Sequence, residues 1–312
     1  MSMDQSAVTV AEYKRLKALP LDEKIKISKQ RIIDWYEHFK GKVSVSFSGG
    51  KDSTVLLHLV RSLYPDVKAV FFNTGLEYPD IYKFVKTFDN VDVLKPKMSF
   101  REVLDKYGWV YPSKEVASAI YYARKGTKWA KMMMAGLTIN GKYSEYRQRY
   151  KIWQFLLYAP FKIHDECCNI MKKKPGLKYQ KETGLQPFVG TLAVESTIRL
   201  QGYLRTGCNG YDAYHPSSRP LSFWTNQDIL QYIVDHKLPI AKCYGDIVLD
   251  YEDKLKTTLC ERTGCMYCII GLHHDKYPNR FEIMKERYPQ HYKYCMETLG
   301  LDEILTWLEL PH

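Results

Sequence analysis

Two kinds of residue in this sequence are typed and spaced for chemistry: a glycine-lysine-aspartate run near the start and a set of paired cysteines further on. The run is Ser48-Gly49-Gly50-Lys51-Asp52-Ser53. Adjacent glycines remove the Cβ atoms that keep a backbone away from a phosphate, and a helix beginning there offers unpaired N–H groups and the positive end of its dipole. Ser48 and Ser53 add hydroxyl donors, Lys51 adds a point charge, and Asp52 is suited to a magnesium ion among phosphates. The spacing differs from the Walker loop, which has four residues between its first glycine and its Gly-Lys pair. Lys51 and Asp52 are therefore the candidate catalytic residues.

The elements around this run fit that use. Apolar residues at helical spacing after Pro20 predict an amphipathic helix over 21–39, and Lys42 to Phe47 is a short β-rich run that leads into the glycines. A helix is expected over 54–63, a strand over 67–72, a helix over 79–88 and a strand over 91–94. That alternation predicts a doubly wound parallel α/β sheet with its ligand at the carboxyl ends of the strands. A further strand is expected over 187–192 and an amphipathic helix over 225–236. Residues 108–163 show no clear period and are taken as a helical or loop insertion, and 278–308 read as two helices. The expected organisation is an N-terminal helical segment (1–40), a nucleotide-binding domain (41–275) with a basic, aromatic-rich insertion at about 108–181, and C-terminal helices (276–312).

Composition bounds the partners. The chain has 312 residues and a formal net charge of +11. Residues 121–181 hold fourteen Lys/Arg against three Asp/Glu, an excess equal to the net charge of the whole chain, and eight of their residues from Tyr121 to Tyr158 are Tyr or Trp. A basic stretch interleaved with rings suits tRNA or DNA, although a solvated face beside a nucleotide site reads the same way. Eight cysteines are too few for a disulfide scaffold. No run of eighteen apolar residues and no charged-then-apolar leader is present, so a cytoplasmic protein without membrane contact is expected.

Ser46 to Ser53 resembles the PP-loop of the ATP pyrophosphatases, or adenine nucleotide alpha-hydrolases, and three further stretches narrow the resemblance to the phosphoadenosine phosphosulfate (PAPS) reductase family. They are Phe71 to Pro79, Val189 to Ser196 with Arg199, and Arg219-Pro220-Leu221 through Trp224, Thr225 and Asp228. The resemblance implies an adenine nucleotide held by Ser48, Gly49, Gly50, Lys51, Asp52 and Ser53, with Asn73, Thr74, Gly75, Gly190, Glu195 and Arg199. The intact loop is similar to that of relatives that split ATP, with magnesium, between the α and β phosphates to adenylate a substrate. The family's C-terminal catalytic cysteine segment has no counterpart in Thr306 to Leu310. An ATP-dependent adenylating enzyme, in sulfur transfer with a sulfur donor, is thus expected. The alternatives are a PAPS or adenylylsulfate reductase served by an external thiol such as a thioredoxin-like protein, and a nucleotide-sensing or nucleic-acid-binding module without turnover.

Cys167-Cys168 with Cys265 and Cys268 resembles the ligand set of the iron–sulfur adenylylsulfate reductases, for which four thiolates hold a [4Fe-4S] cluster. Cys260 competes with Cys167 for the fourth place, because four residues before Cys265 and two more before Cys268 is also a ligand-like spacing. Zinc takes the same ligands. Cys208, Cys243 and Cys295 have no partner spacing and are expected to be buried apolar fillers.

Overall fold

A computed structural model describes residues 7–211 and 214–312. Residues 1–6 of the N-terminal segment lie outside the described residues. The chain divides into two compact units: one holds residues up to 73, 77–95 and 175–266, the other 74–76, 96–174 and 267–312. The N-terminal helices thus belong with the sheet, and the C-terminal helices share a unit with the insertion.

In chain order the first unit opens with α1 (Val10–Lys17), α2 (Leu21–His38), β1 (Val43–Ser46), α3 (Lys51–Arg61), β2 (Lys68–Phe72), α4 (Pro79–Val85) and β3 (Val91–Leu94). The second unit contributes α5 (Phe100–Tyr107), α6 (Lys114–Arg124), α7 (Lys128–Met134), α8 (Glu145–Gln148) and a 3-10 segment, Lys151–Tyr158. After α9 (Lys174–Thr183) the first unit resumes with β4 (Gln186–Val189), α10 (Thr197–Thr206), β5 (Asn209–Gly210), β6 (Ser217–Ser218), α11 (Asn226–Asp235) and the hairpin β7 (Ile247–Leu249) and β8 (Leu255–Thr257). The second unit ends with α12 (Arg280–Arg287), α13 (Pro289–Lys293) and α14 (Leu301–Trp307).

Six strands form one sheet in the order β3-β2-β1-β4-β6-β5, parallel except for the β5–β6 edge. The order runs outward in both directions from β1 and β4, so the topological switch, where doubly wound sheets hold their ligands, lies between those strands. Val45 pairs with Ala69 on one side and Phe188 on the other, and all three are fully buried. Burial on both faces explains why β2, with Ala69, Val70 and Phe71 all buried, reads as an apolar run, whereas β1 alternates Val and Ser. Helix α3 is buried over Val55, Leu56, Leu57, Leu59 and Val60, because α2 and α11 pack on it as well.

Several expected boundaries move. Helix α3 begins at Lys51 rather than residue 54, because Gly50 takes the N-cap with extended backbone and its carbonyl accepts from Thr54 N at 2.9 Å. The strand expected over 187–192 ends at Val189, and a 3-10 turn, Ala193–Glu195, follows. The tail forms three α-helices with a π segment, Tyr294–Thr298, rather than two helices; Cys295 and Met296 in that segment are buried with Phe281, Met284 and Leu301.

In the second unit the insertion is pinned where it begins and ends. Trp109 N donates to Lys162 O at 3.0 Å, and His164 N donates to Trp109 O at 3.0 Å. Gly108 allows this approach: at φ +86 a Cβ would sit 2.0 Å from Lys162 O. Among the described residues no helix is long and apolar enough to cross a membrane.

Candidate functional site

The loop after β1 is held by its own side chains. Ser53 Oγ donates to Gly50 O at 2.9 Å and accepts from Ser48 N at 3.2 Å, and the Ser48 and Ser53 hydroxyls stand 3.1 Å apart. Gly49 has φ +71, and a Cβ there would meet Val85 Cγ2 at 2.8 Å and Ile81 Cγ2 at 2.9 Å. The tight turn therefore has two causes, backbone conformation and the packing of α4 against it. It delivers the first turn of α3, whose N–H groups have no intrahelical acceptor, to the carboxyl edge of the sheet.

Lys51 is buried, and its Nζ lies 2.6 Å from Asn226 Oδ1 and 3.1 Å from Asp52 Oδ1. An ammonium has three donors, so two are committed among the described residues and one remains for a ligand oxygen. Lys51 N donates to the Tyr244 hydroxyl at 3.3 Å, which also pairs with Thr263 Oγ1 at 3.3 Å. Burial, first among several causes, pushes the Tyr244 phenol well above its ordinary range, so it stays protonated at neutral pH.

Asn226 is itself positioned from below. It is the first residue of α11, whose cap residue Thr225 is fixed by Asp228 through bonds of 2.6 Å from its N and 2.8 Å from its Oγ1. The same Asp228 oxygen takes Nζ of Lys24, a buried side chain on α2, at 2.7 Å. Removing one partner of a buried pair leaves an uncompensated charge, at a cost of about 3 kcal/mol. Lys24→Ala is accordingly expected to lower unfolding stability by about that much in urea titration, with the lost cap loosening Asn226.

Across the switch point, Gly190 follows β4 against the first turn of α3; a Cβ there would lie 3.1 Å from both Asp52 O and Ser53 Cα. Glu195 ends the next turn and pairs with both Arg199 and Arg262. Burial lowers the Arg199 pKa most, the neighbouring Arg262 lowers it further, and the charge of Asp52 opposes both. Arg199, Arg262 and Asp52 thus share one electrostatic neighbourhood. Asn73 follows β2 directly, its N donating to Leu94 O of β3 at 2.8 Å. Thr74 is buried and its Oγ1 accepts from Leu76 N at 3.2 Å, with Gly75 at φ +74; both belong to the second unit.

Of the residues singled out from sequence, the first unit brings together Ser48 to Ser53, Gly190, Glu195 and Arg199. It adds Asn226, Tyr244 and Arg262, which sequence reasoning missed. Asn226 had a signal, since it directly follows Trp224-Thr225 in a stretch already recognised as a motif; Tyr244 and Arg262 had none.

The cysteines singled out as ligands fall in both units. Cys167, Cys168 and Cys268 belong to the second unit and Cys260 and Cys265 to the first. Among the described residues no group of three or more His, Cys, Asp or Glu converges closely enough to hold a metal ion. Cys260 hydrogen-bonds the thiol of Cys243, which with burial drives the Cys243 pKa far up. Its place across the mouth of the β7–β8 hairpin explains the contact: Leu259 N donates to Tyr244 O at 3.1 Å. Cys208 is buried and its thiol pushed up to about 12, and Cys295 is buried and pushed up likewise, as expected of apolar fillers.

Residues 42–270 match the family model of the phosphoadenosine phosphosulfate reductase domain. The chain belongs to that family. It is a family of nucleotide-dependent enzymes of sulfur metabolism. The PAPS reductase of Proteus mirabilis is 29% identical over 241 residues, covering 77% of this chain and 81% of that one. The adenosine 5'-phosphosulfate reductase of Staphylococcus epidermidis is 25% identical over 211 residues, covering 67% and 68%. An uncharacterized protein of Methanocaldococcus jannaschii is 25% identical across 97% of this chain, which spans 61% of that protein's length. A solved PAPS reductase from Candida auris superposes with a TM-score of 0.42 at 14% identity, covering 79% of this chain and 98% of that one. The reductase-domain match begins at the residue before β1 and includes every residue of the loop site described above.

Proposed function

We propose that this member of the reductase-domain family binds ATP at the loop of residues 48–53 and cleaves it between the α and β phosphates, adenylating a second substrate in sulfur chemistry. The observation that carries this reading is the complete loop with its lysine in place: Lys51 Nζ held by Asn226 and Asp52 above the first turn of α3. The β and γ phosphates would take the N–H groups of that turn, the Ser48 and Ser53 hydroxyls and the third proton of Lys51. Arg199 and Arg262 would face the α phosphate. As the nucleophile bonds to the α phosphorus and the bridging P–O bond breaks, the negative charge that grows on pyrophosphate falls on Lys51 and the helix N-terminus. Magnesium binds with few protein ligands and several phosphate oxygens, so the half-buried Asp52 carboxylate fits it and the ion would neutralise the leaving group. Cys168, Cys265 and Cys268, with Cys167 or Cys260, are the residues that would hold an iron–sulfur cluster or a zinc ion, and no step is drawn through one.

Chromatography of the products from ATP labelled at the α phosphorus tests the reading. Label in AMP or an AMP ester, with pyrophosphate released, is expected; ADP and phosphate would overturn it. A second reading, reduction of a sulfonucleotide by an external thiol, is supported by the names of the Proteus and Staphylococcus relatives. Sulfite and AMP from PAPS or adenylylsulfate with thioredoxin, and no turnover of ATP, would favour it.

Asn226 is a positioning residue here. Asn226→Ala is expected to lower kcat/KM for ATP about tenfold, the size of one lost hydrogen bond to a charged group. Unfolding stability should change little, which separates this variant from Lys24→Ala.

A further inference from the structure

The second unit spends its arginines and its lysines differently. Arg124, at the end of α6, donates to four carbonyls, those of Leu156 at 2.6 Å, Leu157, Ala159 and Phe161, and so clamps the end of the 3-10 segment against the helix. Arg147 donates to Leu137 O at 2.6 Å, and Arg149 pairs with Glu115. These three arginines are frame. Lys125, Lys128, Lys131, Lys142 and Lys151 are all exposed, and none has an ion pair among the described residues. Residues 121–162 carry nine Lys/Arg and one acidic residue, Glu145. The five lysines carry positive charge that no acidic side chain pairs among the described residues.

Aromatic rings stand among those lysines. Tyr122 on α6 and Trp129 on α7 are 39% and 37% exposed with centroids 5.6 Å apart, and Lys125 and Lys128 lie between them in sequence. Tyr158, at the end of the segment clamped by Arg124, is 86% exposed, and Tyr143 is 71% exposed. A phosphate-only partner has no use for rings, and an apolar partner has no use for unpaired lysines. Flat rings beside unpaired cations suit a strand that offers phosphates and unstacked bases in alternation.

We propose that the helical unit binds single-stranded RNA, such as the loop of a folded RNA, through Tyr122, Lys125, Lys128, Trp129 and Tyr158. RNA is favoured over DNA because RNA loops expose splayed bases in the resting state, whereas duplex DNA does not. The surface lies wholly within one unit, and the proposal does not depend on ATP chemistry at residues 48–53.

Fluorescence anisotropy of a 5'-labelled twenty-nucleotide uridine RNA with the full chain tests it, with matched DNA, duplex RNA, polyphosphate and anionic vesicles as competitors. Saturable binding is expected, with single-stranded RNA the best competitor. Tyr158→Ala, at a side chain too exposed to matter to folding, should weaken binding about tenfold, the range of one lost stacking contact. The double variant Lys125→Gln/Lys128→Gln should reduce the slope of log affinity against log salt by about 1.4, from roughly 0.7 per phosphate on a single strand. No binding at low salt overturns the proposal. So does equal competition by polyphosphate with Tyr158→Ala unchanged, and so does a preference for duplex RNA, DNA or vesicles.

Discussion

Lys51→Ala is expected to reduce pyrophosphate release from ATP at least 100-fold while the protein remains folded. The magnitude follows from removing a preorganised donor at a site where charge grows in the transition state, which typically costs 10²–10³ in rate. Lys51 is also buried with Nζ 2.6 Å from Asn226, so the variant leaves the Asn226 amide oxygen without its cation. Asn226→Ala on its own is expected to cost only about tenfold, because Asp52 still holds the ammonium. A graded pair of effects, large for the charge and small for its orienter, is what a phosphate-binding lysine gives. Equal and small effects in both variants would indicate a lysine that merely packs.

Gly49→Ala is expected to destabilise the fold and to weaken the loop together. The residue adopts φ +71, where an L side chain costs about 1–2 kcal/mol, and its new Cβ would lie 2.8 Å from Val85 Cγ2 and 2.9 Å from Ile81 Cγ2. Overpacking of this kind adds about 1–3 kcal/mol, so a loss of about 3 kcal/mol in urea unfolding is expected, together with weaker ATP binding as the turn opens. Gly264→Ala is the control: its φ is +55, and nothing lies within 4 Å of a Cβ there. That variant should lose only about 1 kcal/mol. Equal losses in the two would mean that α4 does not brace the loop.

What could be read from the sequence was local. The glycine-lysine run sits between a four-residue strand of alternating Val and Ser and a helix, and the second and third strands are bounded by turn residues, so period and punctuation are enough to place the sheet. The start of α3 lies one turn earlier than expected because Asp52 and Ser53 have weak helix preference, yet Gly50 caps them into the helix. The partners of Lys51 could not be read. Asn226 and Tyr244 lie 175 and 193 residues away, and only the packing of α11 on α3 and the turn before β7 bring them in. Lys24 illustrates the same limit: it reads as one more surface lysine of an amphipathic helix but is buried against Asp228. Cys260 adds a contact that spacing does not suggest: its thiol hydrogen-bonds Cys243, which no spacing rule pairs with it.

Equilibrium binding of ATP to the full chain and to Lys51→Ala, with pyrophosphate as competitor, tests the loop most directly. The loop site requires that the unsubstituted chain bind ATP, that pyrophosphate displace it, and that the variant bind at least tenfold more weakly. ATP bound equally by both, or not displaced by pyrophosphate, would contradict the placing of its phosphates at residues 48–53.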